Sequence, residues 1–171
     1  MTLVTRRTLL LPYNNELRNE FIMLHCYTKY RPQMAGPHNV ASAKKMFDTM
    51  LSDDSVYSVA VVQSSTNQYI GHIFIAELNS APRLGFIFDK AIWGEGLASE
   101  ALLAFYPKAI KHLGLKQVHA KVELNQPAAE KVLAKLGFAL SGQSSDDAGH
   151  YHEFIHQTTL ISTSDVVVEQ S

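Results

Sequence analysis

The stretch Gly85-Phe86-Ile87-Phe88-Asp89-Lys90-Ala91-Ile92-Trp93-Gly94-Glu95-Gly96-Leu97-Ala98-Ser99-Glu100-Ala101 decides the fold. Leu84–Phe88 is apolar and β-prone, and Asp89–Gly96 reads as a loop with one glycine pair. From Leu97 on, Ala98, Leu102, Phe105, Ala109 and Leu113 fall at helical spacing, with Gly114 as the closing residue. A strand, a glycine loop and a helix start, in that order, make an anion site. Two glycines let the backbone turn and come close to a ligand. The first amides of a helix have no internal partners, and the helix dipole adds positive potential there. No Lys-Ser or Lys-Thr follows the glycines, so this is not the P-loop of nucleotide hydrolases. Taken alone, the glycine pair fits a plain left-handed turn before a helix equally well. Pro107 removes one helical bond, to the carbonyl of Leu103, and predicts a kink.

Working outward towards the N-terminus, Thr8–Leu11 reads as a short strand that ends at Pro12. Asn14 or Asn15 offers an N-cap for a helix whose apolar face holds Leu17, Phe21, Ile22 and Leu24. Tyr30–Asn39, with Pro32, Gly36 and Pro37, reads as a loop. A second helix follows, with Val40, Ala43, Phe47 and Met50 on one face. Val56–Gln63 and Tyr69–Glu77 are strands of a hairpin around a polar turn. Towards the C-terminus, Val118–Leu124 alternates as a strand, and Pro127 stands at a first helical position. Val132, Leu133 and Leu136 form the face of a short helix closed by Gly137. Phe138 starts a strand, and the last runs over about 150–161. Early hairpins followed by crossover helices predict a mixed sheet.

The 171 residues suit one domain, expected over 1–162, with a loose polar tail at 163–171. Apolar residues make up 46 % and charged residues 18 %, and the formal charge is −1. That balance gives no reason to expect a nucleic acid or a membrane as the main partner. The lone Cys26 forbids an intrachain disulfide and fits a reducing, cytoplasmic setting. The apolar run near the N-terminus is too short for a signal-peptide core.

Three motifs in order resemble the GNAT superfamily of acetyltransferases, in particular its ribosomal-protein N-acetyltransferase (RimJ/RimL-type) branch. These are Gly85-Phe86-Ile87-Phe88, then Trp93-Gly94-Glu95-Gly96-Leu97-Ala98-Ser99-Glu100-Ala101, then Val132-Leu133-Ala134-Lys135-Leu136-Gly137-Phe138. Weaker matches are Arg7–Leu11, Ile70-Gly71 and Tyr151-His152-Glu153. The resemblance implies a mixed α/β GNAT fold with a mainly antiparallel sheet of about seven strands and about four helices. It also implies acetyl-CoA as co-substrate; separately, the spacing of His150, His152 and His156 gives no reason to expect a metal. The pyrophosphate would lie on the amides from Gly94 to Ser99, with Trp93, Glu95, Leu97 and Ala98 in the same loop and helix start. The pantetheine would run along Phe86, Ile87 and Phe88 as an added strand. The thioester would sit in a splay between that strand and Val118–Leu124. An amide near Ile87 or Phe88 would stabilise the oxyanion. The acceptor would be a primary amine: a protein N-terminus, an amino acid or a small amine.

Four positions depart from the family's pattern. Counting back from Gly137, Gln126 and Ala129 stand where the family often has Asn and Ser, with Asn125 one residue early. Arg83 replaces a common Glu, and Ala91 replaces an Arg or Gln. The backbone cradle survives these changes, but the obvious general acid and general base do not. A non-catalytic module that binds CoA as a ligand or sensor is therefore the rival reading. A dinucleotide-binding fold fits poorly, with two glycines and antiparallel hairpins before them.

Among other residues, His72 is either a base or a structural strand histidine, and Glu123 either relays a proton or is a solvated carboxylate. His150, His152 and His156 share a strand face. His150 and His156 would be about 20 Å apart, too far to share an ion. Cys26 and His25 diverge as helix neighbours, so a structural thiol is the favoured reading. Trp93 reads as a packing anchor for the loop. Monomer and homodimer stay open.

Overall fold

The first two helical starts, at Asn15 and Val40, are set by side chains that accept orphan amides. Asn14 Oδ1 accepts from the Glu16 amide at 2.9 Å, and Asn39 Oδ1 accepts from the Ser42 amide at 2.7 Å. A computed structural model describes residues 2–26, 39–147 and 149–158. The expected loop at 30–38 and the tail at 163–171 lie outside these residues, as does the end of the last expected strand.

The described elements are β1 (Leu3–Val4), β2 (Thr8–Leu11), α1 (Arg18–Cys26, entered through a 3-10 turn at Asn15–Leu17), α2 (Val40–Ser52), β3 (Tyr57–Gln63) and β4 (Gln68–Ala76). They continue with β5 (Arg83–Phe88), α3 (Leu97–Leu113), β6 (Gln117–Glu123), α4 (Pro127–Leu136), β7 (Ala139–Asp146) and β8 (Gly149–Gln157). One eight-stranded sheet runs in the order β1-β2-β3-β4-β5-β6-β8-β7. All its neighbours are antiparallel except β5 and β6. The eighth strand is β1, a two-residue edge piece too short to carry a period-two signal.

Each face of the sheet has its own cover. Leu84, Ile73, Ile75, Val59, Val118 and Ala120 point to one side and pack against Leu97, Leu102 and Phe105 of α3 and Leu133 of α4. On the other side Phe21 of α1 meets Phe47 of α2 and the ring of His72 on β4. Burial of such side chains contributes about 1.5–3 kcal/mol each, so this two-sided packing holds the strands from β2 to β6 in place.

Several expectations about helix faces need correction. The buried arc of α3 is Leu97, Ala101, Leu102, Phe105, Tyr106 and Ala109, while Ala98 and Leu113 sit at its margin. The arc is wider than one stripe because α3 contacts both the sheet and α4, and Tyr106 reaches past it to His156 Nδ1 at 2.7 Å. Val40 is 52 % exposed, because the first residue of α2 lies beyond the Ala43–Phe47 contact. The loop at 89–96 contains a 3-10 turn, Lys90–Ile92, capped by Asp89. Helix α3 runs uninterrupted through Pro107 and ends at Gly114, which is left-handed at φ 65°.

Candidate active site

Gly94 and Gly96 both adopt the left-handed conformation, at φ 85° and 79°, which a residue with a Cβ enters only at a cost. Gly96 is the N-cap of α3, and no side chain caps the helix. The first amides of α3 therefore remain unsatisfied by any side-chain cap, as an anion cradle needs. Among the described residues a Cβ on Gly94 would meet nothing within 4 Å, which leaves the loop surface there open to a ligand.

Two braces hold the loop. The Trp93 indole Nε1 donates to the Phe88 carbonyl at 3.1 Å and ties the loop back to β5, while the ring stays 46 % exposed. Trp93 is thus an anchor, by hydrogen bond more than by burial. The second brace was not legible in the sequence. Arg7 donates from its backbone amide and from Nε to the Glu100 carboxylate, at 2.7 and 2.8 Å, and from Nη1 to the Glu95 carbonyl at 2.9 Å. Thr5 Oγ1 also donates to Glu100. Burial alone would raise the Glu100 carboxyl. The hydrogen bonds from Thr5 and Arg7 outweigh it and hold the group below the usual carboxylate range.

Strands β5 and β6 pair at one register point, Arg83 with His119, and the His119 backbone amide donates to the Pro82 carbonyl at 2.8 Å. Beyond Arg83 they separate, which opens a slit towards the Phe88 end, where the glycine loop begins. The Asp89 backbone amide donates to the Ile70 carbonyl at 2.8 Å. Ladder partners alternate in direction along an antiparallel strand. Ile87 and Gly85 therefore turn their amides to β4, while Phe86 and Phe88 turn theirs into the slit. Of the two amides that the sequence left open, Phe88 has the slit-facing geometry and Ile87 does not.

A cleft of ≈ 460 Å³ lies on the α1–α2 face of this slit, with Phe74, Ile87 and Met50 in its wall. His72, paired across the ladder with Ile87, lines it too. Its Nδ1 lies 2.9 Å from the Tyr13 hydroxyl, which is 2.7 Å from the Tyr69 hydroxyl. Burial pushes His72 well below the ordinary imidazole range, and the neighbouring His25 adds to that. The ring is therefore neutral at pH 7 and able to accept a hydrogen bond, but it is a weak base.

Glu123 ends β6 at the open end of the slit, about 4 Å (3.9) from where a Cβ on Gly149 would stand. Asn125 follows in the left-handed conformation at φ 70°, and Gln126 is the N-cap of α4 without a side-chain cap bond. Both lie between β6 and α4, at the same end as the glycine loop. The three strand histidines have separate surroundings. His150 is exposed, His152 Nδ1 lies 2.7 Å from Glu130 Oε2, and His156 is buried against Tyr106. Burial raises the Cys26 thiol, which argues against a reactive nucleophile.

The protein-family model for the acetyltransferase (GNAT) domain matches residues 7–139. The chain belongs to the GNAT acetyltransferase domain family. This GNAT domain is 28 % identical over 115 residues to the uncharacterized N-acetyltransferase p20 of Bacillus licheniformis, over 63 % of this chain and 64 % of that protein. The match thus spans less than two thirds of its relative. Two solved structures share the fold: the ribosomal-protein-S5-alanine acetyltransferase of Vibrio fischeri, with a TM-score of 0.77 at 14 % identity, covering 92 % of this chain and 96 % of that one; and RimJ of Mycobacterium smegmatis in complex with CoA-disulfide, with a TM-score of 0.76 at 14 % identity, covering 99 % and 90 %.

Proposed function

We propose that this GNAT domain, over residues 1–162, transfers the acetyl group of acetyl-CoA to a primary amine by direct attack. The reading rests chiefly on one observation: the slit between β5 and β6 opens onto an uncapped helix start with two left-handed glycines. The amides from Gly94 to Ser99 would hold the pyrophosphate. Phe86 and Phe88 offer backbone groups with no partner on β6, suited to pantetheine as an added strand. Acetyl-CoA supplies an activated acyl group with a thiolate as its leaving group. The Phe88 amide is the donor we assign to the developing oxyanion. The amine nitrogen forms the new C–N bond as the C–S bond breaks, and the amine's proton leaves to water or to a weak acceptor, His72 or Glu123.

Ala129 has no proton to give and Arg83 none to accept, so orientation does most of the work. The rate then follows the acceptor's own ionisation and climbs from pH 7 towards pH 9. The acceptor is a protein N-terminus, an amino acid or a small amine, and the setting is cytoplasmic. Among the described residues no helix is long and apolar enough to cross a membrane.

The same substitutions at Arg83, Gln126 and Ala129 favour a second reading, a CoA-binding module without turnover. Thiol release from acetyl-CoA across an amine panel, beside calorimetric binding of CoA, separates the two. Release with at least one amine supports transfer, whereas tight binding without release on any amine supports the module. A pH–rate profile levelling at a shared value near 6–7 that vanishes in His72→Gln would replace the base-poor mechanism with a histidine base.

A further inference from the structure

The cleft on the α1–α2 face has a charge pattern that narrows the acceptor, given the acetyl transfer proposed above. Phe21, Met50, Phe74 and Ile87 make its wall largely apolar, and Arg83 and Lys121 bring two cations to it. Among the described residues that line it there is no carboxylate. The two histidines there, His25 and His72, add no negative charge. Both cations do have carboxylate partners elsewhere. Arg83 Nε lies 3.3 Å from Glu77 Oε2, and Lys121 Nζ lies 3.6 Å from Asp146 Oδ2 and 4.6 Å from the centre of the Tyr151 ring. Glu153 stands opposite Lys121 on β8. None of these carboxylates lines the cleft, and the Glu77 and Asp146 pairs are half-exposed, where ion pairs hold weakly. Arg83 engages Glu77 through Nε, and its two Nη groups make no hydrogen bond among the described residues. They keep the planar fork that grips a carboxylate.

We propose that the acceptor is a free α-amino acid with an apolar side chain, its carboxylate held between Arg83 and Lys121 and its side chain against the Phe21–Phe74 wall. Three features of the cleft converge on this class. Its apolar wall takes the side chain, and its volume of ≈ 460 Å³ is that of a small-molecule site. Its cations repel a polyamine or a basic peptide and attract a carboxylate. The same cations neutralise the carboxylate that holds the ammonium charged in water, and their own charge disfavours the ammonium form. A site without a strong base thereby obtains a neutral amine through binding. The atoms balance as in the general reaction: the α-nitrogen gains the acetyl carbon, CoA leaves as the thiol, and one proton is released.

The test compares thiol release with phenylalanine, leucine and methionine, with the amides of the same amino acids, and with spermidine. The acids should be the better acceptors. In Arg83→Gln and in Lys121→Gln, kcat/KM for the acids should fall by about ten-fold or more, while that for the amides stays or rises. Amides or spermidine matching the acids, or equal losses for acids and amides in both variants, would overturn the amino-acid assignment and leave acetyl transfer standing. Failure of every amine would count against transfer itself. Calorimetry on the CoA-loaded protein would then decide: phenylalanine binding ahead of its amide, with the preference lost in Arg83→Gln, supports the carboxylate site, and absence of that preference refutes it. Thermal midpoints confirm that the variants fold.

Discussion

At the scale of single residues, Gly96 and Glu100 carry different kinds of information. Gly96 needs φ 79°, and a Cβ there would stand 3.3 Å from Arg7 Nη2. Valine is β-branched and enters that conformation at a cost of about 1–2 kcal/mol or more, and it would shield the amides behind it. Gly96→Val should weaken CoA binding by at least about ten-fold, read by titration calorimetry on a variant shown to be folded; unchanged affinity would remove the phosphate-loop assignment. The left-handed turns at Gly94 and Gly96 were legible because the local pattern of two glycines before a helix calls for them. The bond from Arg7 to Glu100 was not, since 93 residues separate the partners and neither residue type implies the other. His72 was legible as a residue of interest, but its hydrogen bond to Tyr13 depends on how α1 lies on the sheet. Its burial has a second outcome. Burial holds His72 well below 6.5, and His156 is lowered by burial too. Above pH 6.5 both rings are neutral in the folded and unfolded chain, and stability is fully kept. Below 6.5 the unfolded chain takes up protons that the folded one refuses, so stability falls until the folded values are reached. The slope is up to about 1.4 kcal/mol per pH unit per histidine. Urea midpoints should hold from pH 8 to 7 and drop from pH 6.5 to 5, and the drop should shrink in a folded His72→Gln variant.

At the scale of elements, the chain announces its helices and its hairpin better than its margins. Leu97–Leu113 matches the structure to the residue because glycines stand at both ends. Pro127 and Gly137 bracket α4 in the same way. Strand β1 escaped because two residues carry no alternation, and the wide buried arc of α3 escaped because it depends on where α4 packs. The β6–α4 junction is legible only in part. Gly137 fixes the count back to Gln126 and Ala129, but the left-handed turn at Asn125 reorients the chain just before the helix. Asparagine tolerates that conformation better than most residues, so its place there has a backbone reason apart from any ligand. The cofactor role proposed for this junction predicts that Asn125→Ala with Gln126→Ala raises the KM for acetyl-CoA or lowers turnover. Restoring Asn125 alone should recover fold stability, whereas recovery of KM identifies which side chain serves the cofactor. A double variant with normal kinetics would show that the junction serves only the turn.

For the whole molecule, the slit between β5 and β6 separates two territories. The glycine loop opens α3, which packs on one face of the sheet, and the cleft lies on the other, under α1 and α2. On the proposed assignment, a coenzyme on the loop and an acceptor in the cleft would meet only where the strands part, each arriving from its own side. Steady-state kinetics should then give intersecting double-reciprocal lines, with a ternary complex before any product departs. Parallel lines would contradict the layout. Inhibition follows the same division. Coenzyme A without its acetyl group should compete with acetyl-CoA but not with the amine, and an acceptor analogue lacking the amine should do the reverse. Because each inhibitor leaves the opposite entrance open, the two together should occupy one protein molecule at once and suppress turnover by more than either does alone at the same dose.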